Sequence, residues 1–201
     1  MTFPTPSLHH LREALREGRP VSIVGLGDSL TFGWEVDRSF FDRAMATLAE
    51  RYPATALQGL NAGIPGDTAQ GGSRRLSPLL HRSPDVVVVQ FGLNDAFLGV
   101  PLPAFERALE DIAVRCRAAG AAPVLATSCP LRDARDDDLA DRYYHAITAV
   151  GARLECPVAA LHAWWRRHAP AGAALHGDDG VHPSEGGHRL LADGLLAALG
   201  A

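Results

Sequence analysis

The run Val86-Val-Val-Val-Gln-Phe91 decides the fold. A strand with one face in water alternates apolar and polar residues. This one is almost continuously apolar and β-branched, the pattern of a strand covered on both faces inside a parallel sheet. Working outward, shorter apolar runs at 21–24, 55–60, 123–127 and 158–161 read as further strands. Helical periodicity falls between them at 38–51, 68–80, 103–119 and 136–154, with a last helix from about 184 to 199 and an amino-terminal candidate at 8–16. Regular β–α alternation implies parallel pairing through right-handed crossovers. The expectation is one α/β domain over residues 1–201, a three-layer sandwich with about five parallel strands.

A chain of 201 residues, 47% hydrophobic and 21% charged, is long enough to bury a sizeable core. Its net charge of -4 argues against a nucleic-acid partner, which normally demands a basic surface. All 19 basic residues are arginine. The amino terminus does not read as a signal peptide, and no apolar run is long enough for stable membrane insertion, so the expected location is cytoplasmic. Cys116, Cys129 and Cys156 are odd in number and lie in or beside apolar segments, which suggests buried free thiols. A homo-oligomer is compatible with this sequence, which fixes no oligomeric state. Segments 129–138 and 163–181 are long for connections, and such loops are often functional. The acid-rich part of the first also fits a solvated helix start, where aspartates favour the positive end of the dipole.

In an open parallel sheet, ligands bind beyond the carboxyl ends of the strands. Four chemically suggestive stretches fall there. Ser29 follows strand one, Asn61-Ala-Gly-Ile-Pro-Gly-Asp-Thr68 follows strand two, and Gly92-Leu-Asn-Asp95 follows strand three. Asp178-Asp-Gly-Val-His-Pro183 precedes the last helix. Acyl transfer needs a serine with a general base in reach, and His182 can serve if a carboxylate such as Asp179 holds its far nitrogen. The developing oxyanion needs donors, which the backbone N–H groups of Ser29 and Gly66 and the side-chain amide of Asn94 could supply. Each stretch has a plainer reading alone. Ser29 could cap a helix, Asn94-Asp95 could be turn chemistry, and His182-Pro183 could mark a helix entrance. Gly25-Leu-Gly27 is a poor dinucleotide fingerprint because Leu30 takes the third glycine position. The joint occurrence of all four on one rim favours acyl transfer.

Together Gly27-Asp-Ser-Leu-Thr31, Asn61-Ala-Gly-Ile-Pro-Gly66, Gly92-Leu-Asn-Asp95 and Asp179-Gly-Val-His182 resemble the four blocks of the SGNH hydrolase superfamily, the GDSL esterases and lipases. The resemblance spans nearly the whole chain. It implies Ser29 as nucleophile, His182 as base, Asp179 as its partner, and Ser29, Gly66 and Asn94 as the oxyanion hole. Of the adjacent Asp178 and Asp179, its Asp-x-x-His spacing selects Asp179. It further implies a flavodoxin-like sheet of order 2-1-3-4-5 and no metal or cofactor. His176, His182 and His188 carry ligand-type side chains, but their spacing matches no usual zinc pattern.

The expected substrate is a small-molecule ester, with small-acyl carboxylic esters, including carbohydrate acetates, set against longer-chain thioesters and lysophospholipids. A non-catalytic flavodoxin-like binding module is the remote alternative. Phe32, Trp34, Phe97 and Leu98 follow the turns after strands one and three, where they either wall an acyl pocket or pack under the first helix. Trp164 and Trp165, with Arg166 and Arg167, either meet substrate at the rim or form an amphipathic segment.

With His182 as base, kcat/KM should climb with pH as its imidazole loses its proton. A rate that stays flat from about pH 5 to 8 removes His182 from that role.

Overall fold

A computed structural model describes residues 7–201. Five strands form one all-parallel sheet: β1 (Val21–Gly27), β2 (Leu57–Gly63), β3 (Val86–Gln90), β4 (Ala122–Ala126) and β5 (Val158–Ala159), in the order β2-β1-β3-β4-β5. β3 and β4 are buried along their whole length, as the unbroken apolar run of β3 requires. β2 is an edge strand and stays partly exposed.

Among the described residues the helices are α1 (Leu8–Arg16), α2 (Ser29–Phe32), α3 (Phe40–Arg51), α4 (Ala69–Arg74), α5 (Leu76–Leu80), α6 (Leu93–Phe97), α7 (Leu102–Ala118), α8 (Ala134–Arg153), α9 (Leu161–His168) and α10 (Glu185–Leu199). The path from β1 leads outward through α3 to β2, then back past β1 to β3. Right-handed crossovers therefore place α3 on one face and α4, α7 and α8 on the other. α10 returns from the β5 edge and packs against α3 and α9. The reversal of direction opens a crevice at the carboxyl ends of β1 and β3. Leu8, Leu11, Ala14 and Leu15 are buried, so the amino-terminal helix packs on the domain.

Several boundaries differ from the sequence expectation. β2 begins at Leu57 and runs to Gly63, so Asn61-Ala-Gly63 pairs with Gly25-Leu-Gly27 instead of forming a loop. Thr55 instead turns its hydroxyl to the carbonyl of Leu15. The single helix expected over 68–80 divides into α4 and α5 at Arg75. Pro78 has no N–H to continue the hydrogen-bond ladder. β5 is only two residues long, and Leu161 already opens α9, which occupies the start of the expected long segment 163–181. The other long segment becomes α8 at Ala134, with Asp133 accepting from Arg135 and Asp136 N–H. The helix-start reading of those aspartates therefore holds. Trp165 is buried against His176, and half-buried Trp164 stacks on His168, the amphipathic-segment alternative. All three cysteines are free and buried.

His188 on α10 is fully buried and accepts the Phe40 N–H through Nδ1 at 3.0 Å. Burial, with Arg43 and His182 nearby and Glu185 opposing them, lowers its pKa to about 4. An unfolded chain protonates a histidine near pH 6.5. This neutral histidine thus contributes stability that is complete above pH 6.5 and lost as pH falls toward 4. His188→Gln should accordingly lose less melting temperature than the wild type between about pH 7.5 and 5. Equal losses would remove His188 as a source of acid sensitivity.

Candidate active site

β1 ends where side chains no longer fit. A Cβ at Gly27 would collide with Thr31 Oγ1 and lie 2.7 Å from the Gln90 carbonyl oxygen. The chain turns there, and Asp28 caps α2 by accepting the Leu30 N–H at 2.9 Å. Ser29 is therefore the first residue of a helix, not its cap. That short helix closes at Gly33, with φ of 88°. Ser29 is 6% exposed, and its Oγ lies 2.9 Å from His182 Nε2.

His182 arrives on a loop folded back from the far end of the chain. An antiparallel bridge, His176 to Pro183, closes its base. Within it, Asp179 Oδ1 accepts the N–H groups of Val181 and His182, each at 2.9 Å. Its other oxygen lies 2.6 Å from His182 Nδ1. The Asp-x-x-His spacing thus lets one carboxylate hold both the turn and the ring. Partial burial opposes ionisation of Asp179, but the His182 ring and the two N–H donors outweigh it and hold the carboxyl below its usual range. Asp178 is exposed and offers its carbonyl, not its carboxylate, to the neighbouring loop.

That neighbouring loop follows β4. The guanidinium of Arg132 donates to the Gly177 and Asp178 carbonyls at 2.7 and 3.3 Å, and its backbone N–H donates to Gly180 at 2.9 Å. Pro130 accepts from His176 Nε2 at 2.7 Å. Three carbonyls flanking Asp179, those of Gly177, Asp178 and Gly180, are therefore held by one arginine, two by its guanidinium and one by its backbone. The length of segment 129–138 marks this stretch as one that is often functional, but nothing in the sequence singles out Arg132 from the charges around it.

The loops after β2 and β3 complete the rim. Gly66 has φ of 78°, a conformation costly for other residues, and a Cβ there would meet nothing within 4 Å. Its N–H and that of Ser29 donate to no acceptor among the described residues. Asn94 donates one amide hydrogen to the Asp67 carbonyl at 2.9 Å, tying α6 to the Gly66 loop. Arg75 pairs with Asp67 and reaches the carbonyls of Ala62 and Gly27. Buried Asp95 receives the Ala69 N–H, and burial raises its pKa to about 6.

Among the described residues, five of the six exposed large apolar side chains lie on the segments after β1, β2 and β3: Phe32, Trp34, Ile64, Phe97 and Leu98, from 43% to 69% exposed. They do not pack beneath the first helix. The Trp34 ring centre is 6.3 Å from that of His182.

An acidic carboxylate, an imidazole and a hydroxyl in line, beside free N–H donors, form an arrangement able to transfer an acyl group. Comparison with known proteins agrees. Residues 26–190 match the GDSL-like lipase/acylhydrolase family, and the chain belongs to that family of ester hydrolases. It is 29% identical over 181 residues to the thioesterase 1/protease 1/lysophospholipase L1 of Escherichia coli K12, covering 89% of this chain and 83% of that protein. It is 31% identical over 127 residues to the esterase TesA of Pseudomonas aeruginosa, covering 62% and 61%. Among solved structures, the acetylxylan esterase Axe2 of Geobacillus stearothermophilus superposes with a TM-score of 0.78 at 19% identity, covering 90% of this chain and 94% of that one. LAE5, from the metagenome of Lake Arreo, gives 0.78 at 22% identity over 90% and 95%. At these identities the two structures speak to the fold alone.

Arg132→Ala should lower kcat about 10- to 100-fold with little change in melting temperature, since loosening Asp179 misaligns His182. Added guanidinium should restore part of the rate. Wild-type kcat in the variant would show that the loop holds its shape without Arg132.

Proposed function

We propose that the protein hydrolyses carboxylic esters through an acyl-enzyme on Ser29. The observation that carries this reading is the continuous contact Asp179–His182–Ser29, with 2.6 and 2.9 Å between the atoms that exchange or hold the proton. Ser29 Oγ attacks the ester carbonyl carbon while its proton passes to His182 Nε2. Asp179 stabilises the imidazolium and fixes the ring so that Nε2 faces the serine. The oxyanion is received by the N–H groups of Ser29 and Gly66 and by the Asn94 amide, a set in which losing one donor typically costs about 2.7–4 kcal/mol of barrier. Collapse expels the alcohol, which takes the proton from His182. Water then attacks the acyl carbon, returning a proton through His182 and releasing the acid and free Ser29.

Small-acyl carboxylic esters are the simplest substrates for this site. A second reading, longer-chain esters or thioesters, is favoured by the exposed apolar rim. An acyl chain laid across Ile64, Phe97 and Leu98 would cover surface left open to water, at about 25 cal/mol per Å² removed. The name of one relative, a thioesterase/lysophospholipase, points the same way. No helix among the described residues is long and apolar enough to cross a membrane. Within this reading the reaction runs in the reducing cytoplasm, which the three unpaired thiols support.

The test is hydrolysis of p-nitrophenyl acetate, butyrate, octanoate and palmitate by the wild type and Ser29→Ala. Loss of kcat on the order of a millionfold in the variant is expected for a nucleophile. Rates that fall with chain length support the small-acyl reading, and a maximum at octanoate or beyond supports the second. A variant as active as the wild type would end both.

A further inference from the structure

Directly beneath Ser29 lies a buried polar cluster that acyl transfer itself does not use. β3 consists of four valines followed by Gln90, and Gln90 is completely buried. Its Nε2 donates to Asp28 Oδ2 at 3.1 Å and to Ser128 Oγ at 2.9 Å, while its Oε1 accepts from Thr31 Oγ1 at 2.7 Å. Asp28, Thr31 and Ser128 are each at most 1% exposed. One amide thus ties the residue before the nucleophile to the residue two after it, and anchors both to the turn beyond β4. A buried amide or carboxylate is costly unless bonded, and an apolar residue would fill this part of the core at lower cost. The cluster therefore needs an explanation other than stability.

The surroundings of Asp28 supply one. Asp95 on α6 and the Cys129 and Tyr144 side chains are near enough for their charges to oppose that of Asp28. Burial holds Cys129 and Tyr144 in their neutral forms. Arg75 reaches the Gly27 carbonyl, but its guanidinium is paired with Asp67. His182 contacts the serine next to Asp28, and its charge favours the Asp28 anion. Burial pushes the Asp28 carboxyl up to about 7, against the Leu30 N–H and the Gln90 amide, which favour the anion. Its charge is thus delicately held, and the group best placed to respond is the imidazole that gains a proton during the reaction.

We propose that Asp28 is a positioning residue of this site: clamped by Gln90 and the Leu30 N–H, its carboxylate fixes the turn that aims Ser29, and its negative charge stabilises the proton His182 takes from that serine. The inference rests on the acyl-enzyme reading. It differs from the role of Asp179, which holds the far side of the same ring from a different loop.

Asp28→Asn and Gln90→Met test it by kcat and KM for p-nitrophenyl acetate across about pH 4.5 to 9, the range in which a histidine and a raised carboxyl titrate. Asparagine keeps the oxygen that accepts from Leu30, and a flipped Gln90 amide can accept from the new side-chain N–H. In Gln90→Met the carboxyl loses its buried donor and ionises only at higher pH than in the wild type. In both variants kcat should fall about 10- to 100-fold with KM within threefold, as expected when a transition-state interaction is lost. The acid limb of kcat/KM should also move, to lower pH in Asp28→Asn, where no carboxyl has to ionise alongside His182, and to higher pH in Gln90→Met, where a carboxyl without its donor ionises later. A fall in kcat with the acid limb unmoved would reduce the cluster to a structural role and overturn the proposal, as would wild-type kcat in Asp28→Asn. If Ser29→Ala is inactive while either result appears, the acyl-enzyme reading stands and only the role of Asp28 fails.

Discussion

The lack of space at Gly27 is the constraint from which the site follows. β1 is hydrogen-bonded on both sides, and a side chain at its last residue would run into Thr31 and the Gln90 carbonyl. The turn after Gly27 must therefore be tight and must be capped at once. Asp28 provides the cap, and Ser29 emerges from it as the first residue of a four-residue helix. The hydroxyl sits at the carboxyl edge of the sheet, where the reversal of strand order leaves a crevice.

Once that turn is fixed, every other part of the site is attached to it by long-range bonds. His182 meets Ser29 across 153 residues of sequence. The loop that carries His182 has little regular structure of its own, and it is held from outside by Arg132 and Pro130 after β4. The Gly66 loop is held by Asn94 from α6 and by Arg75, whose guanidinium spans Asp67, Ala62 and Gly27. Polar side chains bridging loop carbonyls do here what hydrogen-bonded ladders do within the sheet. Backbone groups at a rim cannot all be exposed to water or paired with strands, so side chains satisfy them. The apolar side chains left over, Phe32, Trp34, Ile64, Phe97 and Leu98, stay exposed on the segments that follow β1, β2 and β3.

The strands and the four site blocks were legible because each rests on a local rule. A continuous valine run has few alternatives to a doubly covered strand, and the Asp-x-x-His spacing works within one turn. Boundaries were less legible. Asn61-Ala-Gly63 looks like loop by composition, yet small residues serve well on an edge strand drawn along β1. The division of α4 from α5 depends on Pro78, which a periodicity count passes over. Arg132 and Gln90 were not legible at all, because each is one polar residue whose meaning lies in partners 38 to 62 positions away.

The sequence by itself determined the class of fold, the family and the residues that bring reactive groups to the rim. Apolar periodicity sets which faces must be buried, and glycines and capping residues set where the chain can turn. Only the tertiary structure decided which groups meet: that Ser29 starts a helix instead of capping it, that Asp179 and not Asp178 meets the imidazole, and that Asp28 lies buried beside Ser29 with Gln90 as its donor. Burial and partner distance set the charge and aim of those side chains. Both depend on how distant segments pack, which no local pattern encodes.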